Sequence, residues 1–102
     1  MKLPNIEIDE NIINEIAKKY NIKELSIFGS VLRNDFTNNS DIDLLIEFNK
    51  NTNYSYFDLL EIKEKLSYIF ERPVDLIEKE SLKNPFRRKE ILNSARKVYE
   101  SK

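Results

Sequence analysis

The chain has 102 residues, enough for one domain built around a single core, and its 40% apolar and 34% charged residues describe a soluble globular protein. It contains no Cys and no His. That excludes a disulfide framework, thiolate and imidazole metal sites, a cysteine nucleophile and a Ser-His triad, so any catalysis must use carboxylates, Lys, Arg, hydroxyls, backbone amides and a hard metal ion.

Residues 9–20 place Ile12, Ile13, Ile16, Ala17 and Tyr20 on one helical stripe, with Asp9 as the N-cap. Residues 24–28 (ELSIF) read as a short strand. Gly29 and Ser30 follow and open a helical turn, SVLRND, before a polar loop at 36–40. Residues 41–48 (DIDLLIEF) form a second strand, with Asp41, Asp43 and Leu45 on one face and Ile42, Leu44, Ile46 and Phe48 on the other. A turn at 49–53 leads to the main amphipathic helix, 54–71, which directs Phe57, Leu59, Leu60, Ile62, Leu66, Ile69 and Phe70 inward. Pro73 ends that helix and Val74–Ile77 forms a third strand. Asn84-Pro85 reads as an N-cap with proline at the first helical position, opening a basic helix to about Ala95. The ending KVYE adds a short edge strand. The expected class is α+β with α/β-like alternation: one domain over 1–102, a small mixed sheet with helices packed against it.

Charge is divided unevenly along this order. Residues 1–78 carry nine basic and fifteen acidic side chains, net −6, and residues 79–102 carry eight and three, net +5. The basic tail is either a solvated helix face or a surface for an acidic partner or for phosphates. We expect Arg87, Arg88, Lys89, Arg96 and Lys97 to serve partner docking. The longest apolar runs, such as Leu44–Ile46, are too short to span a membrane, and no signal peptide is visible, so a cytoplasmic protein is expected.

Gly29 is the only glycine. The turns elsewhere use Asn, which also tolerates left-handed backbone. A glycine retained at the end of a strand is needed if another group must approach the backbone closely, and phosphate is one such group; a plain tight turn is the alternative. Asp41 and Asp43, two apart on a strand, project to the same face with Cα atoms roughly 7 Å apart. Their repulsion calls for a cation. Mg²⁺ fits, because it is commonly held by one or two carboxylates plus substrate oxygens. Asp75, inside the third strand, is expensive there unless paired or metal-bound. If that strand lies beside 41–48, three carboxylates converge, as in sites that hold two metals about 3.5–4 Å apart for in-line displacement at phosphorus. Asp35, Glu47 and Glu78 read as bystanders.

The stretch GSVLRNDFTNNSDIDLLIEF, residues 29–48, resembles the signature of the nucleotidyltransferase superfamily related to DNA polymerase β: Gly-Ser, ten residues, then Asp-x-Asp. Small size and layout resemble its minimal (MNT-type) branch, commonly the antitoxin of a pair with a helical HEPN-family ribonuclease. The strand at 73–77, the closing helix and the KVYE ending extend the similarity over most of the chain. The resemblance implies the polymerase β-like fold, ATP as donor and two Mg²⁺ ions. It implies that Gly29 and Ser30 cradle the triphosphate, that Asp41, Asp43 and Asp75 together hold the metal, and that Asp75 also helps activate the attacking hydroxyl. Arg33, at the motif's arginine position, would steady phosphate or an aspartate. Many members have Gly after that arginine; here Asn34 stands there and could adopt the same left-handed backbone.

The implied activity is metal-dependent transfer of AMP to a tyrosine hydroxyl of a HEPN toxin. The alternatives are a binding antitoxin that masks its toxin without catalysis, and nucleotidyl transfer to a small-molecule acceptor. The implied partners are a HEPN toxin and a nucleoside triphosphate, with no direct nucleic acid and no membrane, in a homo- or hetero-oligomer.

Overall fold

The computed structural model describes residues 1–37 and 39–101; Asn38, within the expected polar loop, and Lys102 lie outside them. The elements run α1 (Glu10–Lys19), β1 (Ile22–Phe28), a 3₁₀ turn (Gly29–Leu32), β2 (Ile42–Phe48), α2 (Tyr56–Phe70), β3 (Val74–Glu78), a second 3₁₀ turn (Lys79–Ser81), α3 (Pro85–Ser94) and β4 (Arg96–Glu100). The four strands form one mixed sheet in the order β3-β2-β1-β4. β1 pairs antiparallel with β2 and β4, whereas β2 and β3 are parallel and α2 makes the crossover. The expected α+β class and the edge position of the last strand are borne out.

Alternation along β2 divides the core. Ile42, Leu44, Ile46 and Phe48 join Ile13, Ile16 and Ala17 of α1 and Ile62 and Leu66 of α2 in the main cluster. Leu45, with Phe28 of β1, faces the other way into a smaller cluster completed by Leu82 and Ile91, under α3. Fully burying one side chain of this size contributes about 1.5–3 kcal/mol, so the main cluster is the principal source of stability.

The helix ends follow local chemistry. Asp9 accepts from the Asn11 N–H at 3.0 Å, and Asn84 accepts from the Phe86 and Arg87 N–H groups at 3.0 and 3.2 Å, as the cap residues predict. α2 starts two residues later than expected. Ser55 and Asp58 form a reciprocal capping box, the Asp58 N–H donating to Ser55 Oγ at 3.2 Å and the Ser55 N–H to Asp58 Oδ2 at 2.9 Å. Its stop is not made by Pro73. Glu71 adopts a left-handed conformation (φ 54°), and the Arg72 N–H returns to the Ser67 carbonyl at 3.2 Å.

The expected apolar stripes are too wide. Ile12 is 37% exposed, Leu60 38% and Phe57 77%. A sheet that narrow covers only one stripe of each helix, and Phe57, Leu60 and Tyr68 recur at i, i+3 and i+11 on the outer side of α2. The Asn-for-Gly reading holds at Asn21 and Asn51, both with positive φ; Asn34 does not take the left-handed backbone.

Candidate active site

β1 ends at Phe28, which pairs with Asp43 across the sheet. The next residue, Gly29, has φ +84°, a conformation that side chains other than glycine rarely adopt. A Cβ on Gly29 would stand 2.1 Å from Asp43 Oδ2. The sequence predicts close approach at this glycine, and the group that approaches is the carboxylate of Asp43 itself. The turn that follows is closed by the Arg33 N–H donating to the Ser30 carbonyl at 2.9 Å. It is held from outside by Asn5, whose amide donates to the carbonyls of Val31 (2.6 Å) and Arg33 (2.9 Å). Asn5 lies between Lys2 and Glu7, which form an N-terminal β-bridge the periodicity does not reveal.

β2 and β3 begin at this same end of the sheet. Asp43 lies directly beside Asp75 in the parallel register, and Asp41 precedes β2 by one residue. Neighbouring strands are about 4.8 Å apart, so the predicted acidic face exists and Asp75 belongs to it. Asp75 is not enclosed in a strand core, contrary to the expectation from its apolar neighbours. β3 is an edge strand, and Asp75 is exposed, as is Asp41; only Asp43 is half-buried. Burial raises the Asp43 carboxyl above its ordinary value, and the charges of Asp75 and Asp41 raise it further, with Arg33 opposing them. Among the described residues none of the three aspartates has a salt-bridge partner. No three acidic groups among the described residues gather tightly enough to enclose an ion by themselves.

The remaining sequence candidates separate cleanly. Ser30 is half-buried in the turn beside Gly29. Arg33 is exposed and its Nε donates to Asp35 Oδ1 at 3.1 Å, while its charge still reaches Asp43. The bystander acids are occupied elsewhere: Glu47 pairs with Lys23 and Lys79, and Glu78 accepts from the Tyr54 hydroxyl.

One residue that sequence reasoning passed over organises the approach to Asp41. Arg72 Nη1 donates to the Thr37 carbonyl at 2.8 Å and the Ser40 carbonyl at 3.3 Å, and its guanidinium lies 4.4 Å from the Phe36 ring centre. Beside it, the Pro73 carbonyl accepts from the Ile42 N–H at 2.9 Å. The segment entering β3 is thereby tied to the loop entering β2, which sets Asp75 and Asp41 relative to each other. A single Arg between a helix and a strand carries no periodic signal, so only the contacts reveal it.

A family model for the nucleotidyltransferase domain matches residues 9–98. The chain belongs to that family. It is 42% identical over 76 residues to a candidate protein adenylyltransferase of Methanocaldococcus jannaschii, covering 74% of this chain and 76% of the relative. It is 30% identical over 88 residues to the protein adenylyltransferase MntA of Thermococcus cleftensis, covering 82% and 87%. Among solved structures, a toxin-antitoxin complex with AMP-PNP superposes with a TM-score of 0.70 at 18% identity, over 93% of this chain and 76% of that one. The MNT antitoxin in complex with the tri-AMPylated HEPN toxin of Shewanella oneidensis gives 0.62 at 18% identity, over 90% and 70%. At such identities the structural matches establish the shared fold.

Proposed function

We propose that this nucleotidyltransferase is a protein adenylyltransferase that acts as an antitoxin, moving AMP from ATP to a tyrosine hydroxyl of a HEPN-family toxin. The observation that carries the reading is the placement of Asp43, pressed against the bare Cα of Gly29 and flanked by Asp75 and Asp41. Three carboxylates opposed by one arginine make an oxygen-donor site suited to a hard divalent cation. Asp41 and Asp43 would hold Mg²⁺, two ions in all, with substrate oxygens completing the coordination. Bound there, the metal would neutralise charge on the phosphates and on the leaving pyrophosphate.

The chain's own groups supply the rest. Gly29 and Ser30, in the turn beside the aspartates, would cradle the triphosphate. Arg33, whose charge is felt at Asp43, balances the phosphates. Asp75 is exposed on the edge strand, so an incoming hydroxyl reaches it without displacing the core. It accepts the tyrosine proton as the hydroxyl oxygen attacks the α-phosphorus. The new P–O bond forms as the bond to the β-phosphate breaks, and pyrophosphate departs with the electron pair.

Incubation with ATP labelled at the α-phosphate, Mg²⁺ and the purified HEPN partner tests this directly. Label on a partner tyrosine is expected, and an Asp41→Asn/Asp43→Asn protein should transfer none. A second reading, neutralisation by masking alone, draws on the outer face of α2, where Phe57 and Tyr68 are 77% and 86% exposed. It would be favoured if the double variant still silenced the toxin.

A further inference from the structure

The sheet ends on one side at β3, the strand that carries Asp75. Successive residues of a strand turn their backbone N–H and C=O groups to opposite sides. The Pro73 carbonyl accepts from the Ile42 N–H at 2.9 Å, so in this register Asp75 and Ile77 also bond toward β2. Val74, Leu76 and Glu78 therefore turn their groups outward. The chain itself satisfies the two ends of that outer row. The Val74 N–H donates to Ser67 Oγ at 3.2 Å, and Ser81 Oγ donates to the Glu78 carbonyl at 2.7 Å. Between them lie the Val74 carbonyl, the Leu76 N–H and carbonyl, and the Glu78 N–H, which have no hydrogen-bond partner among the described residues. Acceptors and donors alternate along this row, as an added strand requires.

The side chains along the edge divide between two faces. Asp75 and Ile77 share the face of Asp43 and Leu45, whereas Leu76 and Glu78 share the face that α2 covers. On the α2 side a groove of about 360 Å³ follows the edge, and Tyr56, Leu59, Leu60 and Leu76 give it an apolar lining. A strand added to β3 straddles both faces, because its own side chains alternate. One set enters the groove and the other lies alongside Asp75. Charge at the ends of the edge is acidic: Glu71 before β3 and Glu80 after it are exposed and form no salt bridge among the described residues. Basic residues flanking the added segment complement them.

We propose that the free edge of β3 docks the protein substrate as an added strand, an extended segment that carries the acceptor tyrosine, with apolar residues next to the tyrosine and basic residues beyond them. The inference rests on the adenylyl transfer described under the proposed function and adds what positions the acceptor. Pairing with the outward groups of Leu76 sets the tyrosine on the face of Asp75 and its sequence neighbours in the groove. The segment must be extended where it is modified, since the interior of a helix has no free backbone groups to offer.

Transfer from labelled Mg-ATP to the purified HEPN partner is measured against partner concentration for wild type, Leu60→Arg, Leu76→Pro and Phe57→Arg. Leu60 is exposed, so its variant should melt as the wild type does. Proline is tolerated on an edge strand where the N–H faces solvent, and at Leu76 it removes the central donor; if that variant fails to fold, Leu60→Arg still decides. Phe57 is exposed on α2 outside the groove and serves as the control. The KM for the partner is expected to rise about tenfold or more in Leu60→Arg and Leu76→Pro. In Leu60→Arg, kcat and calorimetric Mg-ATP affinity should stay at wild-type values, and Phe57→Arg should match wild type throughout. Backbone amide hydrogen exchange gives the second readout: the Leu76 and Glu78 amides should exchange fast in the free chain and become protected with the partner in excess. A wild-type KM in Leu60→Arg overturns the proposal, as does a raised KM in Phe57→Arg alone, which would place the partner on the outer face of α2. Transfer without protection at Leu76 and Glu78 overturns the docking edge and leaves the adenylyltransferase reading standing. Protection without transfer keeps the docking edge and overturns that reading.

Discussion

Two charged regions stand out along this chain, the aspartates at the head of β2 and the basic residues after position 78, and they fared differently once folded. Asp41, Asp43 and Asp75 came together on one face at one end of the sheet. The basic residues scattered: Lys79 and Lys97 into ion pairs, Arg88 into carbonyls, Arg96 into the cleft beside Gly29, leaving Arg87 and Lys89 exposed. The period of a strand is two residues, so DxD defines a shared direction before any tertiary contact forms. A charge sum over a turn, a helix and a strand defines no direction.

The sharpest way to break this contrast is to remove the acidic site. Asp41→Asn/Asp43→Asn should reduce adenylyl transfer on the order of a thousandfold or more, measured by label incorporation, with the fold retained. Asp43→Asn alone should raise the melting temperature of the metal-free protein at neutral pH. The sign follows from the raised Asp43 carboxyl. Between the ordinary carboxylate value and the raised one, the unfolded chain releases this proton before the folded one does, so wild-type stability falls as pH rises through that window. The advantage of the variant should therefore vanish at pH below the ordinary value, develop across the window and stay constant above it. Melting curves in EDTA from pH 3 to 8 provide the check, and an unchanged difference at all pH values would contradict the electrostatic account.

Gly29 gives the next largest effect. If phosphate alone needed the bare backbone, Gly29→Val would block phosphate more than it perturbs folding. The 2.1 Å approach to Asp43 Oδ2 and the φ of +84° change that expectation: even Gly29→Ala should destabilise, by about 1–3 kcal/mol. Part of that loss should disappear when Asp43 is also Ala, because the clash is with its side chain. A double-mutant cycle in urea measures the coupling, and strict additivity would mean the backbone conformation alone is responsible.

Arg72→Ala should have a smaller effect, with a particular form. Freeing the loop before β2 should raise the Mg²⁺ concentration needed for half-maximal transfer more than it lowers the rate at saturating Mg²⁺, and Arg72→Lys should restore little, since lysine lacks the fork that spans two carbonyls. An equal fall at all Mg²⁺ concentrations would argue against a role in placing Asp41.

The smallest effects belong to the remaining tail. Arg88→Ala should destabilise by about 1 kcal/mol without touching association, because its hydrogen bonds are internal. Charge reversal at Arg87 and Lys89 should leave stability unchanged and slow binding to an acidic partner surface, with the difference shrinking at high salt. Equal on-rates at two salt concentrations would reduce those residues to a solvated helix face.

The sequence by itself determined the features that depend on neighbours a few positions away. These are the order of helices and strands, the common face of Asp41 and Asp43, the caps at Asp9 and Asn84, and the need for bare backbone at Gly29. Each is decided by helix or strand period, by a side chain reaching its own turn, or by the sterics of one residue. Tertiary structure decided what depends on which strands lie side by side. The parallel pairing of β2 and β3 put Asp75 beside Asp43, and the pairing of β1 and β2 made Asp43 the group that Gly29 accommodates. The exposed stripe of Phe57, Leu60 and Tyr68, the clamps made by Asn5 and Arg72, and the place of Arg96 were settled at the same level. These contacts join residues more than ten positions apart, and only the packed sheet, not any local period, brings them within reach.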